Sequence, residues 1–141
     1  MSTTATTPAS SPSKGLHYTL WALQGLLALM MFGAGAWKAT APLEELTPNL
    51  PWVALVPGWV PRLAGGSEVL GAIGLVVPAA TGILPVLTPV AAACLALVMG
   101  LAVVMHLALG EGIGAAIPAV VLGSLFAFVA WGRATKAPVT R

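Results

Sequence analysis

The chain has 141 residues, of which 58% are hydrophobic and 7% charged, with a formal net charge of +2. Soluble domains average roughly 25% charged residues, so this chain cannot cover a water-facing surface, and so small a net charge is no footprint for a nucleic-acid binder. The single cysteine, Cys94, excludes an intramolecular disulfide, a CxxC redox pair and a cysteine-based zinc site, so no metal ligands are expected.

Residues 1–15 are rich in Ser, Thr and Pro with one Lys. They cannot bury a core and are expected to form a disordered tail. Residues 16–37 carry no charge between Lys14 and Lys38. Roughly 20 apolar residues cross a 30 Å hydrocarbon core as a helix, and Trp21 and Trp37 stand near the two ends, as interfacial aromatics do. A signal peptide is the rival reading, with Lys14 before it and Ala34-Gly35-Ala36 as a cleavage site. The apolar run exceeds the roughly 7–15 residues of a signal core, which favours a span.

Residues 39–62 contain Pro42, Pro48, Pro51, Pro57 and Pro61, which excludes one continuous helix. Trp52 and Trp59 flank apolar residues there. The segment reads either as a loop on the membrane surface or as an exposed connector. The second span, residues 63–80, holds Glu68 with Gly65, Gly66, Gly71 and Gly74, small residues that let backbones approach closely in lipid. It is the most polar span and is expected to lie among the others. An uncharged turn over residues 78–85 leads to the third span, residues 86–109. This has Thr88 and Pro89 in its first turn, Cys94 in its middle as a buried packing residue, and His106 near its end. Gly110-Glu111-Gly112 breaks the chain before the fourth span, residues 113–131. The tail Arg133–Arg141 is basic and polar.

In lipid, backbone groups must be satisfied internally, and runs near 20 residues without alternation argue for helices. The expected fold is therefore all-α: an integral membrane four-helix bundle with up-down topology, a single domain over residues 16–133. An even number of spans puts both termini on one side, with Lys14, Arg133, Lys136 and Arg141. The other side carries Lys38 and Arg62 against Glu44, Glu45 and Glu111. The positive-inside rule then favours cytoplasmic termini.

Following the chain direction, Lys38, Arg62, Glu68, His106 and Glu111 all fall at one end of the bundle, Glu68 about 9 Å inside it. An unpaired charge in hydrocarbon costs about 3 kcal/mol on insertion scales. Glu68 should thus point inward, protonated or paired with Lys38 or Arg62, on a face shared with Ala64, Gly71, Ala72 and Leu75. His106, with Met99, Ala102 and Val103 on its face, can accept from Lys38 or donate to Glu68. Each residue also has a purely structural reading. On that reading Glu68 locks helix packing, Lys38 beside Trp37 anchors the helix end, and Arg62 and Glu111 are surface charges.

The run FGAGAWK, then PRLAGGSEVLGAIGLVVP, then PVAAACLALVMGLAVVMH, closing on Gly132-Arg133, resembles the DoxX-like family of small four-helix bacterial membrane proteins. The resemblance covers residues 16–133. Its strongest motif is Arg62, Gly65, Glu68, Gly71, Gly74, Leu75 and Pro78, and Lys38, Glu68 and His106 match recurrent polar positions. It implies a bacterial inner-membrane location and an association with membrane redox complexes, such as a subunit of a thiosulfate:quinone oxidoreductase. No flavin, haem or iron–sulfur signature is present, so quinone is the cofactor the polar cluster suggests. No catalytic residue is assigned, and an autonomous enzyme is not expected. The alternatives are an accessory protein that assists assembly of another membrane protein or a homo-oligomer, and, against the absence of broken inverted repeats, a small-solute transporter.

Overall fold

The structure, a computed structural model, describes residues 13–140. Most of the tail expected over residues 1–15 lies outside them. The first helix, α1 (Lys14–Thr40), opens where the Ser13 side chain accepts a hydrogen bond from the Leu16 amide. Its 27 residues span about 40 Å at 1.5 Å per residue. That exceeds the hydrocarbon thickness, so its last turn, with Lys38, reaches the interface. A short α2 (Leu43–Leu46) and a 3-10 turn (Pro51–Leu55) follow. Then come α3 (Trp59–Thr81), α4 (Leu87–Ala108) and α5 (Ile113–Trp131), and a wide π-type turn (Gly132–Lys136) extends α5. Four of these helices are long and apolar enough to cross a membrane.

The helix boundaries follow local chemistry. Pro61 lies in the first turn of α3, where a missing N–H costs nothing. Gly82 ends α3 in the left-handed conformation at φ 67°, with its amide bonded to the Pro78 carbonyl. Gly110 and Gly112, at φ 71° and 86°, make the break before α5.

Within the bundle, α3 lies between α1 and α4, α4 packs along α5, and α1 meets α5 only sparsely. The links after α3 and α4 are short, so successive spans run antiparallel. The shared core is built from Leu20, Leu27, Met31, Leu75, Leu95, Met99, Phe126 and Val129. Leu29, Leu70, Leu97, Leu101 and Ile113 point outward, as a lipid-facing surface requires.

Three expectations need correction. The segment after α1 is not simply an exposed connector. Ala41, Leu46, Trp52 and Val53 are buried in a second core against Trp37, Met105 and Leu109. It forms a cap folded over one end of the bundle, tied down where the Trp37 indole donates to Glu45 at 2.8 Å. Cys94 is exposed on the outer side of α4, not buried: Ala92 and Leu95 take the inward positions of that turn. Finally, Arg133 is not part of a polar tail. It is 2% exposed, because the turn that follows α5 folds it against α1.

Candidate functional site

The site begins with two glycines. A Cβ built on Gly65 would stand 2.5 Å from the Gly35 carbonyl oxygen and 2.7 Å from the Ala39 amide nitrogen. A Cβ on Gly35 would meet the Gly65 carbonyl oxygen at 2.7 Å. Only hydrogen fits at either position, so α1 and α3 cross almost backbone to backbone. That approach delivers Lys38 from one helix and Glu68 from the other to the same depth. The Lys38 ammonium donates to Glu68 Oε1 at 2.5 Å, with the Glu68 side chain 3% exposed.

Arg62 does not join the ion pair. Its guanidinium donates to the Lys38 main-chain carbonyl at 2.8 Å, which satisfies an acceptor freed at the end of α1. His106 does not reach Glu68 either. Its Nδ1 bonds to Glu111 across the Gly110 turn. The five polar residues singled out from sequence therefore form two adjacent units at the cap end: Lys38–Glu68 with Arg62 behind it, and His106–Glu111.

Between these units lies a cavity of about 560 Å³, walled by all four spans and by Leu50 and Trp52 of the cap. Lys38, Glu68 and His106 line it, with Ser67 beside them, and the remaining wall is apolar. Arg62 and Glu111 stand outside the lining. The volume falls in the roughly 300–1,000 Å³ range of small-molecule sites. Glu68 Oε2 is buried with no hydrogen-bond partner among the described residues. Lys38 uses one of three donors on Glu68. The cavity thus offers cationic donors, an unused acceptor and an imidazole inside an otherwise oily wall. No group of three or more His, Cys, Asp or Glu side chains that could hold a metal ion occurs among the described residues.

A second polar constellation, at the end of the bundle that carries the termini, was not singled out from sequence. Gln24 is fully buried in α1 and donates to the Leu75 carbonyl of α3 at 2.6 Å. Its Oε1 accepts from Arg133 Nε. Arg133 Nη1 also donates to the Ala137 carbonyl at 3.1 Å, and the guanidinium lies 5.2 Å from the Trp21 ring centroid. Gln24 is therefore a two-sided clasp between α1, α3 and the last turn. The signal available from sequence was a lone amide in the middle of an apolar span. Gln24→Leu should destabilise the folded chain by about 1–3 kcal/mol, because it leaves the Arg133 donor buried and unpaired. In detergent unfolding, the double variant Gln24→Leu/Arg133→Met should be less harmed than the single one; equal or greater loss would remove the clasp as the cause.

Compared with known families, residues 22–129 match the family model described as the DoxX-like family. Neither curated proteins nor solved structures gave a match.

Proposed function

The chain belongs to the DoxX-like family of membrane proteins, and on that premise we propose that it is a small subunit that binds a quinone, or a similar amphipathic carbonyl compound, for a membrane redox complex. One observation carries this reading: Lys38, Glu68 and His106 line a single apolar cavity inside the bundle. A quinone head group is flat and apolar, with carbonyl oxygens that need donors. The Lys38 ammonium and an imidazole N–H supply such donors, and Glu68 and His106 are groups able to carry exchangeable protons. The chain's own part is to bind and orient the head group and exclude water. Electrons would come from and go to a partner, since no redox centre is legible in the sequence.

The same reading places the protein in a bacterial cytoplasmic membrane with its termini inside. Lys14, Arg133 and Lys136 lie toward the terminal end, against Lys38 and Arg62 at the cap end. The test is purification from the cytoplasmic-membrane fraction in mild detergent, followed by mass spectrometry of extracted lipids and titration with a short-tailed quinone. A quinone should co-purify. His106→Ala, which removes a cavity-wall donor without touching the ion pair, should weaken binding about tenfold, or about 1.4 kcal/mol. Absence of both bound quinone and saturable binding refutes the proposal.

A further inference from the structure

At the cap end Leu50 and Trp52 form part of the cavity wall. Two other wall residues show where it opens. Leu63 of α3 and Leu101 of α4 line the cavity, yet they are 65% and 62% exposed on the outside of the bundle. In a membrane-spanning bundle that outside is lipid, so the mouth is a lateral gap between α3 and α4.

From this gap a narrower recess of about 260 Å³ continues along the same helix pair, bounded by Leu70, Gly71, Ala91 and Cys94. Ser67 and Val98 line both spaces, so the recess adjoins the cavity. Beyond it small residues let α3 and α4 come close together. A Cβ on Gly74 would stand 2.7 Å from the Ala91 side chain. Measured along α4 from His106 to Ala91, cavity and recess together cover about 22 Å at 1.5 Å per residue. That is most of the roughly 30 Å hydrocarbon core.

We propose that the recess between α3 and α4 holds the apolar tail of the molecule whose head group occupies the cavity. The ligand is then a long-chain, lipid-dissolved compound that reaches Lys38 sideways from the bilayer. This inference rests on the head-group reading given above and adds the tail and the route. The polar groups at the cavity and the largely apolar wall of the recess match the two halves of such a molecule. The connection between them through Ser67 and Val98 fixes their order.

Cys94 provides the test, because it is exposed on the wall of the recess and outside the core. Cys94→Trp fills the recess, and Cys94→Ser leaves its size unchanged. Binding of two quinones with the same head group, one with a polyprenyl tail and one with a tail of a few carbons, is measured in nanodiscs. Cys94→Trp should weaken the long-tailed compound at least tenfold and leave the short-tailed one unchanged, whereas Cys94→Ser should bind both as the parent does. Equal binding of the two compounds to Cys94→Trp, or equal loss of both, overturns the recess as a tail site. Failure of both compounds to bind the parent protein instead overturns the head-group reading itself, and the tail site falls with it.

Discussion

Lys38→Met should be among the most destabilising single substitutions in the chain, costing about 3–5 kcal/mol. Methionine matches the length of the lysine stem but removes the ammonium, leaving the Glu68 carboxylate, 2% exposed, without its bridging partner. An isolated charge at the bilayer centre costs about 3 kcal/mol on the most lenient insertion scale, and breaking a buried pair strands its carboxylate at a comparable cost. The pair itself contributes far less net stability than its rupture costs, because both charges were desolvated to make it. Lys38→Met/Glu68→Gln should therefore recover most of the loss, since a neutral amide tolerates the apolar wall better than a carboxylate. Denaturation in mixed micelles reads both variants. If the double variant is as unstable as Lys38→Met alone, the damage does not come from the stranded carboxylate.

The second large effect is expected at a position with no side chain. Gly65→Ala adds one methyl group, and in an ordinary helix interior that change stabilises by about 1 kcal/mol. Here the methyl would collide with the Gly35 carbonyl oxygen and the Ala39 amide, backbone atoms that cannot rotate away. The two helices must separate, and the sign reverses to a loss of about 1–3 kcal/mol. Gly66→Ala is the internal control. It is the next residue of the same helix, with nothing within 4 Å of a built Cβ. The contrast between neighbours isolates the crossing from helix propensity. Separation should also pull Lys38 from Glu68, so Gly65→Ala should lose the proposed quinone binding along with stability. A Gly65→Ala protein as stable as Gly66→Ala would mean that α1 and α3 do not cross at this point.

The spans were legible because lipid imposes a length and excludes charge, and both constraints are written locally. The coincidence of Lys38 and Glu68 at one end followed from counting crossings, and needed no side-chain detail. Their contact depends on Gly35 and Gly65, whose small size was visible although their register was not. The partner of His106 was harder to see. The pairing with Glu111 runs through a glycine turn at positive φ, a backbone path that spacing alone does not specify. The cap was obscured for a different reason. Its prolines excluded a long helix but left open where the chain would fold, and its burial depends on Met105 and Leu109, far away in sequence. Arg133 misled because a basic residue after the last span ordinarily faces headgroups. Only its partnership with Gln24 reveals that the chain turns back on itself.

That partnership also bears on how the protein is made. Gln24 and Arg133 are separated by 109 positions, so the first helix enters the membrane long before its final bonding partner has left the ribosome. Until then the amide can satisfy only the α3 side of its clasp, and a translocating chain must shelter its unused oxygen by other means. Closure of the bundle is thus deferred until the turn after the fourth span emerges, when a single arginine fastens the first span to the last.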